Sequence, residues 1–266
     1  MLSLSILGAA GRMGQKLVAC SRDFPELRIA AAIERDGHPA LGRDAGLLAG
    51  IDAIGVPLST AAQAAPADVT IDFTFHAATP GNLAAALASG AKGYVLGTTA
   101  LSPGEKAAVE KAAETIPVVW APNFSLGVNL LLSLARQAGA LLDGSYDVEI
   151  VEMHHRHKKD APSGTALGLA EAVAAGRGIA LDEAACYGRQ GVVGERPAGQ
   201  IAIHALRGGD VVGDHTVIFA AEGERIEITH KASDRAAFAR GALRAAAWVA
   251  NRPPRIYAMA EVLRLP

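Results

Sequence analysis

The sequence contains little cysteine, few aromatic residues and almost no net charge. Its two cysteines, Cys20 and Cys186, lie far apart and match no C-x-x-C pattern, which argues against a cysteine redox or zinc motif and suits a reducing compartment. With 5% aromatic residues and a formal net charge of -2, the chain offers neither stacking platforms nor a broad cationic surface for nucleic acid. The same balance gives no global attraction to an anionic membrane.

Long apolar runs are also missing. No stretch reaches the ~18 to 20 uncharged apolar residues that span a bilayer, and the N-terminus lacks the basic and apolar regions of a secretory signal. We therefore expect a cytoplasmic protein with no membrane and no nucleic-acid partner. A length of 266 residues predicts one large domain or two modest ones.

A glycine-rich segment follows the first predicted strand, Leu2–Leu7, and precedes a helical stretch, 15–20. Such a strand, turn and helix bring backbone N–H groups and the positive end of the helix dipole to a pyrophosphate. Its spacing is G-x-x-G-x-x-G, which departs from the stricter G-x-G-x-x-G, so an ordinary tight turn explains it equally well when it is taken alone. The predicted cofactor-binding residues here are Gly8, Ala9, Ala10, Gly11, Arg12, Met13 and Gly14.

The next apolar strand, Leu27–Ile33, strengthens the dinucleotide interpretation. It ends in Glu34, twenty residues past Gly14, where dinucleotide-binding folds place an acid on the ribose hydroxyls. Arg35 follows at once and can neutralise the 2′-phosphate of NADPH. We therefore expect both NADH and NADPH to be used.

Strand and helix signals then alternate, which predicts a parallel sheet wrapped by helices. The predicted elements are strands at 68–74, 93–96 and 117–120 and helices at 80–89 and from about 103 to 115. Ser102, Pro103 and Glu105 form the sequence pattern of a capping box with proline at the first helical position. Ligands of open α/β sheets bind beyond the carboxyl ends of strands, although either loop there could be an ordinary turn. The loop residues predicted to contact cofactor are Gly97, Thr98, Thr99, Ala121, Pro122, Asn123 and Phe124.

The pattern changes after Ser125. An apolar helix to about 142, a strand at 147–154 and a helix at 165–175 precede long strand-like runs at 200–206, 215–221 and 225–231. This arrangement predicts a Rossmann-like α/β domain followed by an α+β domain on an open sheet. The predicted division is 1–125 plus 235–266 for dinucleotide binding and 126–234 for substrate binding.

The most informative segment runs from Glu152 to Ala166. It gathers three of the eight histidines, His154, His155 and His157, beside Lys158 and Lys159, and then opens a helix with Ser-Gly-Thr. Proton donors next to a helix N-terminus indicate a pocket for a small acid. A solvated basic loop and a serine that only caps its helix are the simpler interpretations. Against them, we expect His154, His155 and Lys158 to form a buried cationic cluster that lacks a partner unless an anion binds.

A metal site is a further interpretation of the three histidines, because imidazole is a common ligand. Strand alternation predicts His155 and His157 on one face and His154 on the other. Arg156, Lys158 and Lys159 would also repel a cation. We therefore expect no metal.

Taken in order along the chain, these motifs resemble those of the dihydrodipicolinate reductase family of bacterial lysine biosynthesis. The resemblance spans nearly the whole chain and is most specific from His154 to Thr165. The motifs that carry it are the glycine segment, Glu34-Arg35, Gly97-Thr98-Thr99, Ala121-Pro122-Asn123-Phe124-Ser125, the segment from His154 to Thr165, and Ile228-Thr229-His230-Lys231-Ala232.

The resemblance implies an oxidoreductase that uses NADH or NADPH. Its substrate would be the small dicarboxylate 4-hydroxy-tetrahydrodipicolinate, reduced through its dehydrated form to tetrahydrodipicolinate. By motif position, His154 would be the general acid and Lys158 a second proton donor or electrostatic anchor. His155, Ser163, Gly164 and Thr165 would bind substrate, and the family resemblance also implies a homotetramer formed through the second-domain sheet.

Overall fold

The computed structural model describes residues 1–265 and divides the chain into two compact units. The first unit comprises Met1–Leu126 and Arg235–Arg264, and the second contains Gly127–Asp234. Within the described residues, no helix has the length and apolar character needed to cross a membrane.

The strands are β1 (Leu2–Leu7), β2 (Leu27–Ile33), β3 (Leu58–Ser59), β4 (Val69–Asp72), β5 (Gly93–Leu96), β6 (Val118–Trp120), β7 (Asp147–His154), β8 (Ala185–Tyr187), β9 (Ile201–Arg207), β10 (Gly213–Ala221), β11 (Glu224–Ala232) and β12 (Ile256–Tyr257). The helices are α1 (Arg12–Ser21), α2 (Ala45–Leu48), α3 (Thr79–Ala88), α4 (Pro103–Ala113), α5 (Leu126–Leu141), α6 (Gly164–Arg177), α7 (Leu181–Ala184), α8 (Ala236–Val249) and α9 (Met259–Leu263). Two short 3-10 turns cover Ala61–Gln63 and His76–Ala78.

The first unit is built on a seven-stranded parallel sheet in the order β12-β6-β5-β4-β1-β2-β3. Every residue of β4 and β5 is buried, as expected for central strands that are covered by helices on both faces. Strand β1 lies between β2 and β4, so the chain leaves β1 to one side and returns to the other. This reversal is the place where open α/β sheets bind ligands. The predicted Rossmann-like fold is confirmed.

Helix α8 completes the core of the first unit although it comes from the end of the chain. Leu243 and four of its alanines are buried in the same cluster as Leu4 and Ile6 of β1: Ala239, Ala242, Ala245 and Ala246. A Cβ on Gly241 would lie 1.7 Å from the carbonyl oxygen of Phe124, so the helix approaches that carbonyl more closely than any side chain allows.

The second unit is built on a five-stranded mixed sheet in the order β11-β10-β7-β9-β8. Strand β10 is antiparallel to β7 and β11, whereas β7, β9 and β8 run parallel. Alternate residues of β7 are buried, and Val148 and Ile150 pack in one core with Leu169 and Val173 of α6. The next buried position of this row is not apolar: it is Glu152, with 0% exposure.

Most predicted elements occur, with shifted ends. Helix α1 begins at Arg12, three residues before the predicted start, because Gly11 is its N-cap. The capping box of Ser102 and Glu105 is confirmed. Strand β7 ends at His154, so the strand alternation expected for His155 and His157 is wrong: the chain turns there to pair with Gly209 and Val211. Strands β3, β8 and β12 were not predicted, since two or three residues carry no readable alternation.

Candidate active site

The glycine segment forms a tight turn at the carboxyl end of β1. Gly8 has a φ of +68°, and a Cβ on Gly14 would lie 2.2 Å from the Gly8 carbonyl oxygen. Helix α1 therefore starts against the turn only because position 14 carries no side chain. The N-cap residue Gly11 has no side chain, so it makes no capping hydrogen bond to the first turn of α1. The arrangement suits a pyrophosphate.

Glu34 lies beside this turn. Its Oε1 accepts a hydrogen bond of 3.0 Å from the Ala10 N–H, which fixes the carboxylate next to the glycine segment. Arg35 is exposed and donates its own backbone N–H to Glu34 Oε2 at 3.3 Å. The structure therefore brings Glu34 and Arg35 to the same edge as Gly8–Gly14.

A buried carboxylate that the sequence motifs did not reveal connects the loops that follow β4 and β5. Asp72 is fully buried and accepts hydrogen bonds from Tyr94 Oη at 2.7 Å and Asn82 Nδ2 at 2.9 Å. It also accepts from Thr74 Oγ1 at 2.6 Å and from Thr98 Oγ1 at 3.4 Å. Burial and the neighbouring Asp72 carboxylate raise the pKa of Tyr94 well above its ordinary value, so its phenol stays a donor. The sequence signal that could have indicated this site is an acidic residue, Asp72, at the end of the buried strand β4.

The two predicted cofactor loops have distinct environments. A Cβ on Gly97 would lie 2.2 Å from the Phe73 ring, so glycine allows the ring to pack against that loop. Thr98 is buried and Thr99 is exposed. In the second loop Asn123 Oδ1 accepts from the Ser125 N–H at 2.8 Å, and Phe124 is 1% exposed, with its ring packed edge-on against Phe73. The Phe124 side chain is therefore a core side chain.

In the second unit Glu152 holds the predicted acid. Its Oε2 lies 2.5 Å from Nδ1 of His154 and accepts from Nη1 of Arg207 at 2.8 Å. Its Oε1 accepts from the Ser163 backbone N–H at 3.1 Å. Burial opposes ionisation of Glu152, but the bonds from Arg207 and His154 outweigh it and lower its pKa. Neither Glu152 nor Arg207 was predicted as a site residue.

Helix α6 starts at this cluster, and Ser163 is its N-cap as predicted, with Oγ accepting from the Ala166 N–H at 3.1 Å. Gly164 is exposed and Thr165 half-buried in the first turn. The Ser163 Oγ also lies 2.9 Å from Nε2 of His215. Burial, with His154 nearby, lowers the pKa of His215 to about 4.

The expected cationic cluster without an internal partner is wrong. Lys158 Nζ lies 2.7 Å from Oδ2 of Asp160, and His154 is paired with Glu152. His155 is half-buried, with its backbone N–H donated to the Val211 carbonyl at 2.8 Å. Carboxylates of the chain therefore already pair with His154 and Lys158, and a substrate anion is not required to balance those two groups.

A metal centre has no support in residues 1–265, where no group of three or more histidine, cysteine, aspartate or glutamate side chains is arranged to hold an ion. The site instead places a hydrogen-bonded imidazole, an ion-paired lysine and the serine-capped N-terminus of α6 on one segment of chain. This combination can bind a carboxylate and supply a proton.

Both halves of the chain match models of one protein family. A model described as dihydrodipicolinate reductase, N-terminus, matches residues 2–124, and its C-terminus counterpart matches residues 127–263. A 4-hydroxy-tetrahydrodipicolinate reductase of Anaeromyxobacter dehalogenans strain 2CP-1 is 52% identical and covers 100% of this chain and 98% of its own length. The protein of that name from Ruegeria pomeroyi is 51% identical, with coverage of 98% and 97%.

Solved structures share the fold. A dipicolinate-bound dihydrodipicolinate reductase from Paenisporosarcina sp. TG-14 aligns with a TM-score of 0.73 at 24% identity, covering 98% of both chains. An amine dehydrogenase from Mycobacterium smegmatis aligns with a TM-score of 0.60 at 13% identity, covering 100% of this chain and 96% of that one. At these identities the likeness concerns the fold alone.

Proposed function

Since this chain belongs to the dihydrodipicolinate reductase family, we propose how its residues divide the work of that activity. The enzyme is an oxidoreductase of diaminopimelate and lysine biosynthesis, a 4-hydroxy-tetrahydrodipicolinate reductase. The reduced species is the dehydrated form of the substrate, and the product is tetrahydrodipicolinate. A nicotinamide dinucleotide, when bound, supplies the hydride.

The first unit would hold that dinucleotide. The uncapped start of α1 and the space that Gly14 leaves beside Gly8 fit a pyrophosphate. Glu34 is oriented by Ala10 toward the same turn and would bind the ribose hydroxyls. Arg35 is exposed beside it and would pair with a 2′-phosphate, so both NADH and NADPH are substrates in this proposal.

The second unit would bind and protonate the dicarboxylate. Ser163, Gly164 and Thr165 present the start of α6 to one carboxylate, with Lys158 and His155 on the preceding segment as cationic and polar contacts. Reduction of a conjugated imine builds negative charge that a positioned acid must quench, and His154 is that acid. The observation that carries the assignment is the shared contact of Glu152 with the His154 ring and the Ser163 N–H.

The experiment combines purified protein with freshly prepared condensation product of aspartate semialdehyde and pyruvate and follows oxidation of NADH and NADPH in parallel. In the same assay His154→Gln should lower kcat by roughly 10² to 10⁴ with a small change in KM, because the lost interaction belongs to the transition state. Lys158→Ala should change both constants, since a cation beside a dicarboxylate also binds the ground state. Near-normal turnover of a folded His154→Gln protein would remove His154 from the acid role.

Assembly and location complete the proposal. Leu206 is exposed on the sheet face of the second unit that α6 does not cover, in register with Met153 of β7, and we assign that face to a homotetramer interface. Light scattering of the purified protein tests this, and a monomeric mass would contradict it.

A cytoplasmic location fits the biosynthetic role and is tested by fractionating cells that produce the chain.

A further inference from the structure

Glu152 is a buried carboxylate that packing does not require. It occupies the third buried position of β7, in line with Val148 and Ile150, where an apolar side chain would complete the core. Burying a carboxylate is costly unless it is paired, and a well-packed apolar residue often serves stability as well or better. The charge at position 152 therefore needs another explanation.

The contacts of Glu152 supply one. One carboxylate oxygen contacts His154, the proposed acid, and the other accepts the backbone N–H of Ser163, where the proposed carboxylate-binding helix begins. Arg207 binds the oxygen that faces His154 at 2.8 Å and keeps Glu152 ionised. A single rigid group thus connects the proton donor and the anion-binding helix start within the second unit.

The contact also determines which ring nitrogen of His154 is available. An ionised carboxylate only accepts hydrogen bonds, so Nδ1 of His154 must carry a hydrogen. Nε2 is then the atom that exchanges a proton with substrate. A Cβ on residue 213 would lie 2.9 Å from that Nε2, and position 213 is glycine, which leaves space beside the reactive atom.

We propose that Glu152 is a positioning residue for the reaction, an inference that rests on the proposed function. It fixes the tautomer and ring orientation of His154 and holds the ring in register with the start of α6. Glu152 itself exchanges no proton with substrate.

The first test is Glu152→Gln, which keeps the shape of the side chain but can offer an amide N–H to His154. We expect kcat to fall roughly 10- to 100-fold, the size of effect seen when an orienting partner of a functional histidine is lost, with a smaller change in KM. Glu149→Gln is the matched control, because Glu149 lies on the same strand and binds Arg189 and His204, whereas the carboxylate bound to His154 within residues 1–265 is that of Glu152. An equal loss of kcat in both variants would overturn the proposal.

The second test is a double-mutant cycle. If Glu152 acts through His154, the double variant Glu152→Gln/His154→Gln should be about as slow as His154→Gln alone. If the loss of kcat in the double variant equals the product of the two single-variant losses, Glu152 has a separate, structural role and the proposal is overturned. If Glu152→Gln does not fold, Glu152→Asp serves in the same cycle, because its shorter carboxylate withdraws from the ring.

A third measurement separates this inference from the proposed function. In 15N-histidine-labelled protein, His154 should show a protonated Nδ1 in the parent and a mixture of tautomers in Glu152→Gln, with assignment from the His154→Gln spectrum. Unchanged nitrogen shifts in Glu152→Gln would contradict the positioning role. Active His154→Gln protein would instead contradict the acid role, whatever the shifts show.

Discussion

The hydroxyl of Ser163 and the imidazole of His215 lie 2.9 Å apart in the interior of the second unit. His215 is 4% exposed and, with its pKa lowered to about 4, is neutral at pH 7. Among residues 1–265 its Nδ1 has no hydrogen-bond partner, so its one ring hydrogen belongs on Nε2, facing Ser163. Ser163 Oγ then accepts from both His215 and the Ala166 N–H. The hydroxyl hydrogen of Ser163 remains for a substrate carboxylate.

The first prediction concerns stability against pH. Burial lowers the pKa of His215 from 6.5 to about 4, so the unfolded chain binds this proton first as the pH falls. The contribution of His215 to the free energy of unfolding should therefore be constant above pH 6.5 and decline between pH 6.5 and 4, by up to about 3 kcal/mol. Urea unfolding at a series of pH values measures it.

The control for that prediction is His215→Gln, which removes this titration and should reduce the slope over the same interval, leaving the contribution of His230, whose pKa is also lowered by burial. Ser163→Ala keeps His215 and should retain the slope. If the slope of stability against pH is unchanged in His215→Gln, the decline belongs to other groups.

Glu149 acts in a lower pH interval. Burial raises the pKa of Glu149, but Arg189, Arg196 and His204 outweigh it and hold the pKa at about 2, so the stabilisation from Glu149 is lost only below about pH 4.5.

The second prediction concerns cofactor choice. Arg35→Ala should raise KM for NADPH roughly 10-fold, the equivalent of one charge-assisted hydrogen bond, and leave KM for NADH nearly unchanged. Steady-state kinetics with both cofactors measures this at fixed ionic strength. Equal changes in the two constants would mean that Arg35 is only a solvated charge after β2.

The third prediction concerns the start of α6. Pyridine-2,6-dicarboxylate, a planar dicarboxylate, should compete with substrate, and Thr165→Val should raise its inhibition constant roughly 5- to 10-fold for a lost hydrogen bond of about 1 kcal/mol. The melting temperature should change little because the residues are nearly equal in volume and Ser163 still caps the helix. An inhibition constant that stays the same would move the carboxylate site away from Thr165.

The fourth prediction concerns the glycine turn. Gly14→Ala should weaken binding of both dinucleotides and destabilise the protein by about 1 to 3 kcal/mol, since its Cβ would meet the Gly8 carbonyl 2.2 Å away. Gly81→Ala in α3 is the matched control, because a Cβ there meets nothing within 4 Å. Isothermal titration calorimetry and thermal melting compare the two. Normal dinucleotide affinity in Gly14→Ala would place the pyrophosphate elsewhere.

Elements whose sequence pattern depends only on neighbouring residues were predicted correctly. Leu27–Ile33 occurs as predicted because its apolar run ends at a polar boundary, and the Ser102–Glu105 capping box satisfies helix donors within four residues of chain. The general position of α6 followed from its N-cap serine. These features depend on neighbours in sequence, so the sequence displays them.

The remaining site depended on distant partners. The residues that flank Glu152 in the sequence do not indicate its hydrogen bond with Arg207, which lies 55 positions along the chain. The hydrogen bond between Asp72 and Tyr94 is likewise not indicated by their sequence neighbours. The segment from His154 to Lys158 shows only its own charges in the sequence, whereas the fold brings the buried Glu152 carboxylate to both His154 and Arg207. Pairing between strands determined which charges were balanced.

Helix α8 has a consequence for how the chain acquires its structure during synthesis. The core around Leu4 and Ile6 includes Leu243 and Val249, and strand β6, which pairs with β5 on one side, gains its second neighbour only at Ile256–Tyr257. When residues 1–234 have left the ribosome, the second unit is therefore complete. The first unit still lacks α8 and β12, so part of its apolar core is exposed to water. Nascent chains at that stage should be the form most prone to aggregation and most dependent on chaperones.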